Sequence, residues 1–312
     1  MEKLNLECVY VISLSFTEEK LNNWKKEIRE KLIPWYTGPI VGKKGVNGAN
    51  ITKKWLSDND FKLYENWQLP DSTHEYWNRK MDPGIIGCTI SHYQVWKHAY
   101  ENGFESVLIL EEDFLVLEEL TDKYISELPN DCEFFYLGRN KVSWLGKVID
   151  DDVPVGSGLI VKPAASYNLH AYIFFKEGLK KVMEKKFNEY IFPDDEFIPA
   201  CYAGHVREDL SFIEPNLIAY APKDEIEIVF DQKVKWDEQV AGRFYLDGVP
   251  AKATTPRGTG NGITLKLAGP TTAQTLTYIK GGTWKQDDAI IRGENDIAAL
   301  TFCEVPIDSA SE

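Results

Sequence analysis

Short apolar strands alternate with amphipathic helices along the first 200 residues of this chain. Residues 8–16 read CVYVISLSF, a β-branched and apolar run that predicts a buried first strand. Apolar side chains then recur at helical spacing from Leu21 to Leu32, and Thr17 precedes them as the predicted N-cap. The later segments predict a helix over 87–103, strands over 106–116, 133–138 and 167–175, and a helix over 176–187. This order predicts an α/β domain with a mostly parallel, doubly wound, Rossmann-like sheet.

The pattern changes after residue 222, where short alternating strands are separated by Gly, Asn and Pro. Strands at regular spacing with turn residues between them predict a small all-β sandwich. A chain of 312 residues is long enough for two domains, so we predict an α/β domain over 1–222 and a β-sandwich domain over 223–312. Trp236 and Trp284 of the second domain either stack on sugar rings or, as is commoner, pack inside the sandwich.

Charge and cysteine content exclude several classes of protein. The formal net charge of -14 disfavours binding to nucleic acid and suits a protein that concentrates cations. Five scattered cysteines without zinc-site spacing predict neither a disulfide framework nor a structural zinc. The first residues lack the pattern of a signal peptide, no apolar run is long enough for a transmembrane segment, and the last residues lack an ER-retention signal. The expectation is a soluble protein in a reducing compartment.

Three acids interrupt the predicted strand over 106–116, whose sequence is SVLILEEDFLV. Because alternate side chains of a strand share a face, Glu111 and Asp113 are expected to point together, with Glu112 opposite. The carboxyl ends of parallel strands are where α/β folds place ligands, and oxygen ligands suit Mg²⁺ or Mn²⁺. The alternative is a solvated turn, which the motif alone does not exclude.

A second group of acids follows Pro193 in the segment FPDDEFIPACY. Proline followed by acids is typical of an ordinary helix start, where the acids face the positive end of the helix dipole. Alternatively, a carboxylate of this group beside a metal-bound leaving group is a candidate general base. Ser91 and His92, near the start of a predicted helix, either contact phosphate or pack as hydrogen-bonded helix residues.

Taken in order, the motifs of residues 7–222 resemble those of glycosyltransferase family 25, which includes bacterial lipopolysaccharide sugar transferases and procollagen galactosyltransferases. The longest similar stretch is PGIIGCTISHYQVWKHAYENGFESVLILEEDFLV, which resembles the pattern G-E-I-G-C-x-x-S-H…W…A-L-I-L-E-D-D. Further motifs of the family are similar, in the same order, to VYVISL, GVNGANIT, FFYLGRNK, SYNLHAYIFFKEGLKKVM, FPDDEFIPACY and IEPNLIAYAP. Several motifs in one order make the resemblance specific.

The resemblance implies a GT-A-like fold and a divalent ion, Mn²⁺ or Mg²⁺, that binds the diphosphate of a UDP-sugar. It implies transfer of galactose or a related hexose, with inversion, to a hydroxyl of a glycan, a lipid-linked sugar or a protein. On the matching motifs, Glu111 and Asp113 are the predicted metal ligands, and Asp195 and Glu196 are the predicted catalytic residues. The residues predicted to bind the nucleotide sugar are Val11, Ser13, Leu14, Asn47, Gly48, Ser91, His92 and Glu112.

Four residues depart from the family pattern, namely Ser13, Asn47, Ile85 and Glu112. The first three replace an asparagine, an aspartate and a glutamate where the donor nucleotide is expected, and Glu112 replaces an aspartate of E-D-D. Ser13, Asn47 and Ile85 motivate an alternative, a decayed transferase fold that binds carbohydrate or serves as a virion or surface protein. A phosphoryl-transfer or hydrolytic enzyme that uses the same acids ranks last, because the sequence holds no P-loop or HExxH pattern.

The expected setting of the enzyme also follows from the resemblance. A collagen-type acceptor normally implies a secretory compartment, whereas no targeting signal is visible, so we expect a cytoplasmic enzyme of microbial or viral origin. The β-rich tail resembles accessory sandwich domains of carbohydrate-active enzymes, and its role in acceptor recognition or assembly is left open. The oligomeric state is open as well, a homo-oligomer included.

Overall fold

The structure is a computed structural model that describes most of residues 4–222 and parts of the remainder. The described residues are 4–72, 75–116, 118–141, 143–144, 147–148, 152–205, 207–210, 215–222, 225–229, 233–236, 238–251, 262–267, 273–279, 290–293 and 302–307. The chain divides into two compact units, one of residues 1–153 and 161–221, the other of residues 154–160 and 222–312. That residues 1–222 and 223–312 fold as two independent domains stays a prediction.

A mixed β-sheet dominates residues 4–222. In chain order the strands are β1 (Cys8–Ser13), β2 (Ile40–Lys44), β3 (Ser106–Glu111), β4 (Phe134–Lys141), β5 (Ser143–Trp144), β6 (Lys147–Val148), β7 (Val153–Val155), β8 (Ile160–Lys162), β9 (Ser166–Phe175) and β10 (Ala219–Pro222). Eight of them form one sheet in the order β2-β1-β3-β9-β4-β10-β8-β7, and β5 pairs with β6. The α/β class predicted from the alternation of elements is therefore confirmed.

The sheet is mixed rather than mostly parallel. β1 runs parallel to β2 and β3, and β4 runs parallel to β10. β9 runs antiparallel to both of its neighbours, β3 and β4. The described residues between β4 and β9 contain short strands and no helix, and an antiparallel neighbour needs no helical crossover. The prediction of a mostly parallel sheet is therefore wrong at the centre of the sheet.

Helices flank the strands. Within the described residues they are α1 (Glu18–Glu27), α2 (Lys53–Asp58), α3 (Glu75–Asn78), α4 (Pro83–Glu101), α5 (Asp122–Glu127), α6 (Lys176–Glu184) and α7 (Asp194–Tyr202). Helices α1, α4 and α6 lie where the sequence predicts helices, whereas α5, between β3 and β4, was not predicted. Shorter helical turns lie at Ile28–Leu32, which continues α1, and at Gly48–Asn50, Phe187–Glu189, Glu208–Leu210 and Glu238–Arg243.

The caps of two helices explain where those helices begin. Thr17 caps α1, because its Oγ1 accepts a hydrogen bond from Lys20 N at 3.2 Å, as predicted. α4 begins four residues before the predicted start at Gly87. Asp82 Oδ1 accepts a hydrogen bond from Ile85 N at 3.0 Å. Pro83 suits the first helical position because an amide N–H there would have no partner within the helix, and proline has no amide N–H.

An aromatic cluster holds α4 against the sheet. Trp96 of α4 is fully buried, and its ring stacks on Phe187 and Phe197 with centroids 6.2 Å apart in each case. Its Nε1 donates a hydrogen bond to the hydroxyl of Tyr172 on β9 at 2.8 Å. The Tyr172 ring in turn stacks on Phe134 of β4 at 5.1 Å. This packing fixes the helix that carries Ser91 and His92 relative to the centre of the sheet.

The second unit is built from antiparallel strands. They are β11 (Glu225–Val229), β12 (Val234–Lys235), β13 (Phe244–Leu246), β14 (Val249–Pro250), β15 (Gly262–Lys266), β16 (Thr275–Tyr278), β17 (Arg292–Gly293) and β18 (Phe302–Pro306). β11 pairs with β15, β12 pairs with β17, and a four-stranded sheet has the order β14-β13-β16-β18. Ile263 and Leu265 share one core with Phe244 and Tyr278, whereas the sandwich arrangement stays a prediction. Trp236 packs against this core, and Trp284 lies outside the described residues.

The four cysteines whose side chains the structure describes are free thiols. Cys8, Cys132 and Cys201 are buried, and Cys88 is exposed. None of the helices in the part of the chain that the structure describes is long and apolar enough to cross a membrane.

Candidate functional site

A cleft of about 580 Å³ opens where β3 ends and where α4 and α7 begin. Side chains from these elements, from the first half of β9 and from α3 form its wall. They are Tyr76, Ile85, Cys88, Glu111, Asp113, Phe114, Leu115, Asn168, Leu169, His170, Pro193, Asp194 and Asp195. Three residues that the sequence predicts for the site, Glu111, Asp113 and Asp195, thus lie on one cleft.

The three acids at the end of β3 do not share one environment. Glu111 is the last residue of β3, with its side chain 31% exposed in the cleft, and Asp113 follows in a turn and is exposed. Glu112 instead accepts hydrogen bonds from Leu14 N at 3.3 Å and from Lys20 Nζ at 2.8 Å. Glu111 and Asp113 therefore share the cleft, although a turn and not a continuing strand brings them together.

The start of α7 places Asp194 and Asp195 on the cleft. Pro193 is the N-cap of the helix, and Asp194 is buried, with its Oδ1 accepting from Thr89 Oγ1 at 3.0 Å. Burial raises the pKa of Asp194. Burial, followed by the carboxylates of Asp194 and Glu196, raises the pKa of Asp195 to about 8. A carboxyl group with such a pKa can take up and release a proton near neutral pH.

Glu196 is buried and does not line the cleft. Its Oε1 accepts a hydrogen bond from Tyr167 OH at 2.7 Å, and its Oε2 is hydrogen-bonded to His205 Nε2. His205 Nδ1 accepts from Arg207 N at 3.0 Å, so the Nε2 atom carries the proton that it donates to Glu196. Glu196 thus connects β9 with the residues that follow α7.

His92 lies behind Glu111 in a buried chain of hydrogen bonds. Its Nε2 is 3.0 Å from Glu111 Oε1 and 3.8 Å from Asp194 Oδ2, and its Nδ1 is 2.7 Å from Tyr172 OH. Burial lowers the pKa of His92, but the carboxylates of Asp194 and Glu111 raise it by more, so the pKa lies above its ordinary value. The imidazole therefore stabilises two carboxylates that would otherwise repel each other.

The predicted nucleotide-binding residues Val11, Ser13 and Leu14 lie before, at and directly after the carboxyl end of β1. Val11 is fully buried in the sheet. Ser13 is buried, its Oγ accepts from Ser15 N at 3.2 Å, and its carbonyl accepts from Gly45 N at 2.7 Å. Leu14 is 57% exposed. Ser13 thus connects the end of β1 with the loop that follows β2.

The predicted nucleotide-binding residues after β2 form a loop that is fastened to α4. Asn47 Oδ1 accepts from Ala49 N at 3.0 Å and caps the short turn that follows. Ser91 Oγ accepts from Val46 N at 2.8 Å and donates to Gly87 O at 2.6 Å. Both side chains are therefore engaged within the protein, and neither is among the described residues that line the cleft.

Gly48 and Gly87 allow this loop to approach α4 at backbone distance. A Cβ atom on Gly48 would lie 1.5 Å from Pro83 O, and a Cβ atom on Gly87 would lie 2.4 Å from Val46 O. Such contacts are far below van der Waals distance, so a larger residue would force the loop away from the helix. Gly48 is therefore required for the shape of the loop.

Ten of the lining residues are not among the predicted site residues, and they include Asp194, Cys88, Asn168 and His170. Cys88 lies one helical turn before His92, a spacing that the sequence does show and that places two side chains on one helix face. Asn168 has a φ of 69°, in the left-handed region that asparagine tolerates better than most residues. No local pattern indicates that the backbone adopts this conformation at Asn168.

The cleft concentrates carboxyl groups. It is lined by the carboxyl groups of Glu111, Asp113, Asp194 and Asp195, and no Lys or Arg is among the described residues that line it. Several carboxylate oxygens in one place are the donor set that Mn²⁺ and Mg²⁺ prefer, and a cation would offset their mutual repulsion. The residues present therefore fit a divalent ion.

Comparison with known proteins relates this chain to one family. The model of glycosyltransferase family 25 (LPS biosynthesis protein) matches residues 7–156. The chain is 26% identical over 218 residues to procollagen galactosyltransferase 1-B of Xenopus laevis, an alignment that covers 67% of this chain and 33% of that protein. It is 32% identical over 151 residues to procollagen lysyl hydroxylase and glycosyltransferase of Acanthamoeba polyphaga mimivirus, with 45% and 16% covered.

The name of a third relative describes a protein without transferase activity. The chain is 26% identical over 214 residues to the probable inactive glycosyltransferase 25 family member 3 of Bos taurus, with 66% of this chain and 33% of that protein covered. The chain thus spans a third or less of the length of these three relatives. The similarity therefore concerns one region of each relative and not the whole of it.

Proposed function

Since the first half of this chain belongs to glycosyltransferase family 25, we propose that the protein is a metal-dependent glycosyltransferase. It moves galactose or a related hexose from a UDP-sugar to a hydroxyl group, with inversion at the anomeric carbon. The acceptor is a glycan, a lipid-linked sugar or a protein, and the procollagen in the names of two relatives supports a protein hydroxyl among these. The mixed α/β sheet is compatible with a GT-A-like arrangement.

The observation that carries the proposal is the group of four carboxyl groups on one cleft at the end of β3. A sugar diphosphate is an anion, and it cannot approach this group closely without a cation between them. A divalent ion held by Glu111 and Asp113 would offset the repulsion among the carboxyl groups, and it would also allow the sugar diphosphate to approach them. Bound there, Mn²⁺ or Mg²⁺ would neutralise the charge that develops on the departing diphosphate.

His92 orients Glu111 for binding of the divalent ion. The hydrogen bonds of Glu111 to His92 and to Cys88 both involve Oε1, which leaves Oε2 for a ligand. Because His92 is fully buried and its second nitrogen is bonded to Tyr172, the imidazole cannot turn away from the carboxylate. We assign His92 a positioning role, since such contacts hold a metal ligand in one orientation.

Asp195 is the proposed general base. It lines the cleft, and its raised pKa of about 8 suits a group that takes a proton from an acceptor hydroxyl. The hydroxyl oxygen forms its bond to the anomeric carbon as the bond from that carbon to the diphosphate oxygen breaks. Glu196, the other predicted catalytic residue, has both oxygens engaged by Tyr167 and His205, so we assign it to holding α7 in place.

The nucleoside is proposed to lie over the carboxyl ends of β1 and β2. α/β folds place ligands at this edge, and the exposed Leu14 lies there. Ser13, Asn47, Gly48 and Ser91 would shape the loop beneath the nucleoside, and Glu112 would brace it through Leu14 N. Val11 is buried in the sheet, so its contribution is through the backbone.

The test is Mn²⁺-dependent turnover of UDP-sugars together with calorimetric binding of UDP. The wild-type protein is expected to bind UDP and to turn over a UDP-hexose only with Mn²⁺ or Mg²⁺ present. Asp113→Ala is expected to weaken Mn²⁺-dependent UDP binding by roughly 10²-fold, because it removes a ligand of the ion. The matched control is Glu119→Gln, which changes an exposed acid a few residues further on that does not line the cleft. A folded wild-type protein that binds no nucleotide sugar in the presence of Mn²⁺ would contradict the proposal.

The second candidate function is a decayed transferase that binds carbohydrate without catalysis. It is favoured by Ile85, an apolar side chain on the cleft wall where the family pattern has glutamate, and by the name of the bovine relative. Calorimetry separates the two functions. Binding of glycans without metal-dependent binding of UDP would support the decayed form, and UDP binding that requires Mn²⁺ would exclude it.

A further inference from the structure

Cys88, His92 and Glu111 form a compact group of three different metal-ligating side chains. Their ligand atoms all lie within 4.8 Å of one another. Cys88 Sγ is 3.5 Å from Glu111 Oε1, and His92 Nε2 is 3.0 Å from the same oxygen. A tetrahedral zinc ion, with bonds of about 2.3 Å to sulfur and about 2.0 Å to nitrogen or oxygen, separates such atoms by roughly 3.3–3.6 Å. The two separations from Glu111 Oε1 therefore lie near zinc-ligand spacing, and the separation of sulfur from nitrogen is within 4.8 Å.

The fold holds two of these ligands rigidly. Cys88 and His92 are four residues apart on α4, so their side chains lie on one face of the helix. His92 Nδ1 is 2.7 Å from Tyr172 OH, and Trp96 donates to the same hydroxyl. Metal-binding histidines are oriented by a contact of this kind on the nitrogen that does not bind the ion. The scaffold thus resembles that of a preformed site.

The group is open to ligands from one side. Cys88 is exposed and lines the cleft, and the Glu111 side chain is 31% exposed there. His92 is fully buried behind them. An ion that enters the cleft therefore meets sulfur, nitrogen and oxygen donors, and its remaining position faces the cleft.

We propose that Cys88, His92 and Glu111 bind a borderline-soft divalent ion of the Zn²⁺ class. Thiolate and imidazole donors favour Zn²⁺ over Mn²⁺ and Mg²⁺, which prefer oxygen ligands. On binding, the Cys88 thiol releases its proton to the solvent, and His92 Nε2 releases the proton that it holds toward Glu111, while Nδ1 keeps its own proton toward Tyr172 OH. The hydrogen bond between His92 and Glu111 is thereby replaced by two bonds to the metal. The inference goes beyond the proposed function, since it requires neither a nucleotide sugar nor an acceptor. It departs from the expectation that no cysteine and histidine of this chain have zinc-site spacing.

The experiment uses Co²⁺ as a spectroscopic substitute for Zn²⁺ in the metal-free protein of 312 residues. Co²⁺ is expected to produce a thiolate-to-cobalt charge-transfer band in the near ultraviolet that saturates at one equivalent. One equivalent of Zn²⁺ should remove the band, whereas one equivalent of Mn²⁺ should leave it, because Mn²⁺ is the weaker competitor. Cys88→Ser should abolish the band, and its exposed position makes loss of folding unexpected.

Two further variants make the assignment specific. Cys132→Ser changes a buried cysteine that is hydrogen-bonded to Phe134 O, away from the group, and is expected to keep the band. Glu111→Gln should keep the band but weaken Co²⁺ binding by roughly tenfold or more, and an unchanged affinity would contradict the ligand set. The absence of a band in the wild-type protein, or its persistence in Cys88→Ser, would overturn the proposal. Neither result depends on sugar transfer, so failure of this site and failure of the proposed activity are distinguishable.

Discussion

At the scale of the residue, Asp195 and Glu196 are neighbours with different surroundings. We predict that Asp195→Asn lowers kcat by on the order of 10²–10⁴-fold, because the cleft loses its general base. Its thermal stability should equal or exceed that of the wild type, since one of several repelling carboxyl groups is removed. Steady-state kinetics with UDP-hexose and thermal unfolding measure the two effects.

Glu196→Gln provides the contrasting prediction. Glu196 is buried and accepts from both Tyr167 and His205, so the variant should lose about 1–3 kcal/mol in the free energy of unfolding. Binding of Mn²⁺ to the folded fraction should be unchanged. A stable Glu196→Gln protein with the kinetic defect expected for Asp195→Asn would reverse the two assignments.

The ion pair of Arg207 and Asp209 gives a prediction about pH. Arg207 donates to Asp209 through Nε at 2.9 Å and through a terminal nitrogen at 2.6 Å. Partial burial raises the pKa of Asp209, but the hydrogen bonds and the charge of Arg207 lower it by more, so its pKa lies below the ordinary value. Its stabilising contribution is therefore fully present above about pH 4 and is lost as the pH falls through the lowered pKa.

Asp209→Asn tests this contribution. At neutral pH the variant should lose about 1–3 kcal/mol in the free energy of unfolding, because the buried guanidinium of Arg207 loses its charged partner. The difference from the wild type should shrink as the pH is lowered below about 4. Urea denaturation at several pH values measures it, and a difference that grows in acid would contradict the assignment.

At the scale of the element, the loop after β2 depends on its contact with α4. Gly48→Ala would place a Cβ atom 1.5 Å from Pro83 O, so we predict a loss of about 1–3 kcal/mol in the free energy of unfolding. UDP binding should weaken as well, because the loop is part of the proposed nucleoside site. Gly242→Ala is the control, since a Cβ atom there meets nothing within 4 Å, and chemical denaturation compares the two. Equal stability of the two variants would show that the loop does not need this contact.

The elements themselves were largely predictable because their signals are local. β1, β3 and α1 were predicted from apolar periodicity and from Thr17 as a cap, which depend on residues close in sequence. The true start of α4 was also readable, because Asp82 followed by Pro83 is a typical helix start. The antiparallel direction of β9 could not be predicted, because strand pairing depends on contacts between residues far apart in the chain.

At the scale of the whole molecule, ion binding should stabilise the folded chain. Mn²⁺ at 100 times its Kd is expected to raise the free energy of unfolding by about 2.7 kcal/mol, and a chelator should reverse the gain. Asp113→Ala should lose most of this gain, whereas Glu119→Gln should keep it. Thermal unfolding with and without Mn²⁺ measures the shift, and the same gain in both variants would remove Asp113 from the ion site.

The candidate site could be predicted only in part, because it is assembled from distant segments. Glu111, Asp113 and Asp195 were found because acids follow apolar runs at two recognisable motifs. The approach of Asp194 to His92, at 3.8 Å between residues 102 positions apart, depends on how α7 packs near α4. The sequence shows the chemical types of these residues but not the distances between them. The contact of Cys88 with Glu111 likewise depends on packing and could not be predicted from the sequence.

The run of three acids at the start of α7 constrains how this sequence can change during evolution. Consecutive helix residues point about 100° apart, so insertion or deletion of one residue in α7 directly after these acids would rotate all three carboxyl groups relative to the buried remainder of the helix. Composition and net charge would hardly change, yet Asp194 would lose Thr89 and Glu196 would lose Tyr167 and His205. Lineages that retain the cleft are therefore expected to tolerate substitutions around this segment more readily than changes in its length.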